Sequence, residues 1–129
     1  MVKNWLTCIC SNRLNLTCQW QNSRVRVIKP LGYFAFLKLL AHAKKVLTDS
    51  GGVQKEAYML KVPCITLRAR TEWVETVSEG WNVLVDTSLE EIVHMATTFN
   101  PTGVRQDIFG KDACHRIVDI IDRISTKGS

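Results

Sequence analysis

No stretch of this chain is apolar for long enough to cross a membrane. The longest, residues 33–43, is interrupted by Lys38 and His42 and falls well short of the roughly 20 residues that a spanning helix needs. The apolar run at residues 5–10 is too short for a secretory leader and ends at Ser11-Asn12-Arg13 without a small-residue cleavage site. A cytoplasmic location with no membrane partner is therefore expected. Paired cysteines are also missing. The five present, Cys8, Cys10, Cys18, Cys64 and Cys114, are odd in number and scattered, which argues for reduced thiols over a disulfide framework. Cys8, Cys10 and Cys18 have no second pair of ligands and no nearby His, so neither a zinc site nor any other metal or cofactor is assigned. Acidic residues are absent before Asp49, where eight Lys and Arg stand, whereas nine bases and twelve acids follow from there on. The bases are spread over several elements instead of forming a dense run. A solvated basic face is expected in preference to a nucleic-acid site.

What remains is one ordinary domain. The chain has 129 residues, 46% of them hydrophobic, enough for a single core and too few for two. Residues 1–23 show no period and take no element. From residue 24 the pattern becomes regular. Arg24-Val25-Arg26-Val27-Ile28 alternates like a strand that Pro30-Leu31-Gly32 stops. Residues 33–43 read as a helix with Tyr33, Phe36, Leu37 and Leu40 on the face that packs on a sheet. Val46-Leu47-Thr48 is a short buried strand, and Asp49-Ser50-Gly51-Gly52 turns into a helix carrying Val53, Ala57 and Leu60. After Pro63, Cys64-Ile65-Thr66-Leu67 reads as a strand buried on both faces. A short helix over residues 71–79 and a strand at Trp81-Asn82-Val83-Leu84-Val85 follow. Ser88 with Glu91 forms a capping box for the next helix, and residues 113–124 place Cys114, Ile117, Val118, Ile121 and Ile124 on one stripe. Strands alternating with helices predict an α/β fold, a parallel sheet flanked by helices, over residues 24–129.

The chemistry concentrates at Leu47-Thr48-Asp49-Ser50-Gly51-Gly52-Val53-Gln54-Lys55-Glu56-Ala57. In a parallel sheet the carboxyl end of a strand meets the amino end of the next helix, where unpaired N–H groups and the helix dipole favour an anion. Gly51 and Gly52 let a phosphate approach the backbone, and the Ser50 hydroxyl adds a donor. Glu56, one turn beyond Gly52, could accept from two hydroxyls of a ribose. The residues alone leave a second reading open: a helix N-capped by Ser50 or Asp49, with two turn glycines and a surface Glu56.

The same run, with Val62-Pro63-Cys64, Leu67-Arg68, Thr71-Glu72-Trp73-Val74-Glu75 and Gly80-Trp81-Asn82-Val83-Leu84-Val85, resembles the carboxy-terminal domain of the non-hydrolysing UDP-N-acetylglucosamine 2-epimerases. The resemblance extends from about residue 25 to about residue 124. It implies a Rossmann-like domain that is one half, the UDP-binding half, of a two-domain GT-B-like fold with the ligand in the cleft between halves. It also implies an isomerase that interconverts UDP-N-acetylglucosamine and UDP-N-acetylmannosamine by eliminating UDP and adding it back. Carried over by position, Phe36 packs against the uracil, Ser50, Gly51 and Gly52 hold the diphosphate, and Glu56 binds the ribose. Arg68 and Glu72, near the same edge, are secondary candidates for ligand contact, against a surface ion pair for Arg68 and a helix-start acid for Glu72. The bacterial pattern often has a phosphate-binding Arg where Trp73 stands, and that role is not carried over.

The acids and the His that the family uses for proton transfer have no match in residues 1–30, so no catalytic residue is assigned. Activity is expected to need an amino-terminal domain as partner, or the chain self-associates. Lys61, Ala69 and Asp86 stand where the family usually has Gly, Asp and Gly. These departures suggest a fragment, from a truncated or decaying gene or a misplaced start. The competing expectations are a catalytically incomplete remnant that binds UDP or a partner domain, and half of a GT-B glycosyltransferase. The glycosyltransferase reading leaves the Thr71 to Glu75 block unexplained.

Overall fold

The computed structural model describes residues 6–9 and 28–127. Four strands and five helices are formed there: β1 (Leu6–Ile9), α1 (Tyr33–Ala41), β2 (Lys45–Thr48), α2 (Gly51–Met59), β3 (Cys64–Thr66), α3 (Val74–Ser78), β4 (Asn82–Leu84), α4 (Leu89–Thr98) and α5 (Ala113–Lys127). The strands make one parallel sheet in the order β1-β2-β3-β4. This is the α/β architecture expected from the alternation of strands and helices. Of the strand expected at residues 24–28, residues 24–27 lie outside the described residues, and Ile28 is irregular and exposed. Residues 6–9, to which the sequence assigns no element, pair with β2 from Leu6 opposite Lys45 to Ile9 opposite Thr48.

Both faces of the sheet are covered, which is why β2 and β3 are apolar without clean alternation. Val46 faces Cys64 across the ladder and Leu47 faces Ile65. Val46 and Cys64 join Leu40 of α1 and Val53 and Ala57 of α2 in one core. Leu47 and Ile65 join Val85 and, from α4, Ile92, Met95 and Ala96 in the other. The period of two along each strand therefore divides the residues between two helical layers. Lys45, only 2% exposed, reaches through the second layer to donate from Nζ to the Ala96 carbonyl at 3.0 Å. Burial, and secondarily the charge of Lys44, lower its pKa.

The helix ends follow from local chemistry. Beyond α2 the Lys61 N–H donates to the Tyr58 carbonyl and the Val62 N–H to the Ala57 carbonyl, with Lys61 at φ 58°. That is a Schellman motif with a lysine in the left-handed position that glycine prefers. The helical face expected on α1 is only partly seated: Leu40 is fully buried and Phe36 half-buried, but Tyr33 is 58% exposed. The stripe on α5 forms as expected, yet Ile117, Val118, Ile121 and Ile124 are each 55–68% exposed. Among the described residues no helix is long and apolar enough to cross a membrane.

Candidate functional site

β2 delivers the chain into α2 through a side-chain turn. Thr48 Oγ1 accepts from the Ser50 N–H at 3.0 Å, and Ser50 takes an extended conformation as the N-cap of α2 (φ −87°, ψ 123°). Ser50 makes no side-chain capping bond, and the first turn of α2 contains no acid. α4 provides the contrast. There Ser88 Oγ accepts from the Glu91 N–H at 3.4 Å, and Glu90 and Glu91 stand in the first turn. α4 satisfies its own amino end, whereas α2 has neither a side-chain cap nor an acid in its first turn.

The two glycines prove unequal. A Cβ on Gly52 would meet only Ser50 Oγ, at 4.0 Å, so that face is open. A Cβ on Gly51 would collide with the Glu72 carboxylate and lie 3.5 Å from Trp73 Nε1. The space beside Gly51 is thus taken by the Glu72 carboxylate, and Gly52 leaves space that nothing in the described structure fills.

Glu56 lies in the second turn of α2, half-buried, with the Tyr33 hydroxyl of α1 near its carboxylate. Hydrogen bonding toward that carboxylate, and then its charge, raise the tyrosine pKa. Phe36 is on the same helix as Tyr33, one turn on, and packs in part against the core beside Leu40. Arg68 and Glu72 pair with each other at 3.3 Å, with side chains 45% and 51% exposed. The surface ion pair expected as the plain reading for Arg68 is formed, and Glu72 also lies against Gly51.

Sequence reasoning passed over the residues that hold this edge together. Gln54, fully buried, accepts at Oε1 from Thr71 Oγ1 at 2.5 Å and from Asn82 Nδ2 at 3.2 Å. Asn82 also donates to Thr76 Oγ1 at 3.1 Å and accepts from Thr66 Oγ1 at 2.7 Å. Thr71 Oγ1 in turn accepts from the Trp73 N–H at 3.0 Å. These bonds fasten the segment from Arg68 to Trp73 onto α2. Lys55 Nζ sits 4.8 Å from the ring centres of both Trp73 and Phe109, a geometry in which ring faces attract the ammonium. The signal in the sequence was Gln54 itself, a polar residue between Val53 and Ala57 on the buried face of α2. Among the described residues no cluster of His, Cys, Asp and Glu could hold a metal ion. The side chains of Cys8, Cys10 and Cys18 lie outside the described residues. A depression lined by Leu84, Val85, Glu90, Glu91, His94 and Met95 runs along α4 and includes none of Phe36, Ser50, Gly51, Gly52, Glu56, Arg68 and Glu72.

Comparison with known proteins gives a consistent picture. The sequence model of the family described as UDP-N-acetylglucosamine 2-epimerase matches residues 10–122. A UDP-N-acetylglucosamine 2-epimerase homolog of Methanococcus maripaludis is 58% identical over 79 residues, 61% of this chain and 22% of that protein. A UDP-2,3-diacetamido-2,3-dideoxy-D-glucuronate 2-epimerase of Pseudomonas aeruginosa is 43% identical over 103 residues, 78% of this chain and 29% of that protein. Among solved structures, the Methanocaldococcus jannaschii UDP-GlcNAc 2-epimerase in complex with UDP-GlcNAc and UDP is 44% identical with a TM-score of 0.71, over 79% of this chain and 29% of that one. The chain thus spans under a third of the length of the relatives it matches.

Proposed function

The chain belongs to the UDP-N-acetylglucosamine 2-epimerase family, and from that premise we propose that it is the UDP-binding half of an enzyme interconverting UDP-N-acetylglucosamine and UDP-N-acetylmannosamine. The observation that carries the reading is the start of α2. It has no side-chain cap and no acid of its own, and it has an open face at Gly52. A diphosphate there accepts from the first N–H groups of the helix and the Ser50 hydroxyl. Glu56 stands four residues beyond Gly52, a rise of about 6 Å along the axis. This separation suits a ribose bonded to the α-phosphate. Its carboxylate, half-buried beside the Tyr33 hydroxyl, is an acceptor suited to the ribose diol. Phe36, on the neighbouring helix, offers the exposed part of its ring to the uracil.

In the reaction the sugar loses the C2 proton and the C1–O bond to UDP. A glucal-type intermediate forms, UDP adds back at C1, and a proton returns to C2 from the opposite side. Negative charge grows on the departing diphosphate, and the dipole and donors at the start of α2 stabilise it. Moving the proton needs an acid and a base within hydrogen-bond reach, which we assign to an amino-terminal domain supplied as a partner. The exposed stripe of Ile117, Ile121 and Ile124 on α5 supports a partner domain or self-association, since a bare apolar face favours burial. A cytoplasmic location fits a nucleotide-sugar substrate.

Calorimetric titration of the folded chain with UDP tests the site. Glu56→Ala should weaken binding by roughly 1–3 kcal/mol through the lost charged hydrogen bonds. Equal affinity in the variant would remove Glu56 from the site. An epimerase assay tests the division of labour: product should form only when an amino-terminal domain is added, and product from this chain alone would refute the assignment of proton transfer.

A further inference from the structure

Two side chains converge on the place that a Cβ of Gly51 would take. Glu72 Oε1 occupies the place a Cβ would take, Trp73 Nε1 lies 3.5 Å from that point, and the backbone is the first residue of α2. The other carboxylate oxygen of Glu72 is held by Arg68 at 3.3 Å. Trp73 Nε1 is buried and has no hydrogen-bond partner among the described residues. Its position is not accidental, because its backbone N–H is pinned by Thr71, which is itself tied to the buried Gln54 of α2. An indole nitrogen is a donor only. A buried donor without an acceptor, fixed beside the uncapped amino end of a helix, is arranged for an acceptor that arrives from outside. The nearest anion is Glu72, which is half exposed at the side chain and free to turn outward.

We infer that the Glu72 carboxylate is an internal occupant of the anion seat at the start of α2, and that a phosphate of the ligand displaces it and takes over Arg68 and the Trp73 indole N–H. The inference rests on the UDP-binding reading and deepens it. Before binding, Glu72 neutralises Arg68 and shields the indole. A phosphate brings more charge and more acceptor oxygens than one carboxylate, so it replaces Glu72 at Arg68 and supplies the acceptor that the indole N–H lacks. Trp73 then acts on the diphosphate and not on the nucleoside, and Glu72 acts as a competitor of the ligand.

The test titrates the whole chain, wild type, Glu72→Gln and Trp73→Phe, with UDP, inorganic pyrophosphate and uridine, together with ¹⁵N-resolved indole N–H spectra. Glu72→Gln keeps the shape and removes the charge, and it should tighten UDP and pyrophosphate about 3- to 10-fold. Trp73→Phe should weaken both by a similar factor, the size of one hydrogen bond. Neither variant should change the response to uridine. In the wild type, the indole signal that Trp73→Phe abolishes should move on adding pyrophosphate. Weaker or unchanged pyrophosphate binding in Glu72→Gln, or an unmoved indole signal at saturation, overturns the inference. Pyrophosphate binding with no preference for UDP would leave the anion seat standing and bring down the nucleotide reading instead. Failure to bind pyrophosphate or UDP in a folded wild type overturns both.

Discussion

Lys61→Gly should stabilise this protein, and the size of the gain follows from the geometry at the end of α2. Lys61 has φ 58°, a conformation that costs an L-residue with a Cβ roughly 1–2 kcal/mol. The position is not negotiable for the chain, because the Lys61 and Val62 N–H groups close the helix on the Tyr58 and Ala57 carbonyls, and both bonds require the left-handed turn. The lysine side chain is exposed, so its removal forfeits little packing. Glycine gains the steric term and gives back roughly 0.5–1 kcal/mol through the greater freedom of its unfolded chain. The net gain is about 1 kcal/mol. In urea unfolding, with a slope of about 2 kcal/mol/M for a domain of this size, the midpoint should rise by about 0.5 M without a change of slope. In thermal unfolding the same gain is a rise of about 4 °C. A midpoint equal to or below that of the wild type would refute the argument, since it would mean that the left-handed turn at Lys61 carries no strain to relieve.

Other consequences are testable with the same protein. Cys64 is buried and its thiol is pushed up to about 12 by that burial, with the Thr66 hydroxyl opposing, whereas Cys114 is exposed. A thiol reagent should therefore modify Cys114 and spare Cys64 until the protein unfolds. The stability that Cys64 contributes is complete below its unfolded value near 9 and is lost as pH rises toward about 12; Cys64→Ala should flatten that part of the pH–stability curve. Asn82→Ala leaves Thr66 and Gln54 short of buried partners, and should cost roughly 3 kcal/mol in urea unfolding. A loss under 1 kcal/mol would show that the Asn82 bonds to Thr66, Gln54 and Thr76 contribute little to the fold. Tyr33→Phe removes the hydroxyl beside Glu56 and should change UDP affinity by no more than about 10-fold, with stability unaltered; a fall in melting temperature would recast the pair as structural.

The legible parts of the fold were those written in local pattern. The turn at Asp49 to Gly52, the Ser88 cap of α4 and the stripe on α5 each depend on residues within a turn or two of one another, so spacing reveals them. β1 was not legible because Leu6-Thr7-Cys8-Ile9 is too short to show a period and its partner, β2, lies far along the chain. The helical period placed Tyr33 on the inner face of α1, but its ring is 58% exposed and packs edge-on against Phe34. The site was half legible. Both glycines read as room for a phosphate, and only the fold reveals that Glu72, distant in sequence, fills the space beside Gly51 while the face of Gly52 stays open. Gln54 and Asn82 escaped notice because buried amides follow no period; what places them is the set of partners that folding assembles.

Gly52→Ala separates the site from the scaffold and so tests the central claim most directly. The added methyl meets no atom closer than Ser50 Oγ at 4.0 Å, and alanine is the better helix former, so the variant should melt at or above the wild-type temperature. The same methyl stands where the diphosphate approaches the backbone. Wild type should bind UDP in a calorimetric titration, and Gly52→Ala, fully folded, should bind it at least about 10-fold more weakly, the loss of one charged hydrogen bond or more. Equal affinity in the two proteins, or no heat from folded wild type at millimolar UDP, would contradict the claim.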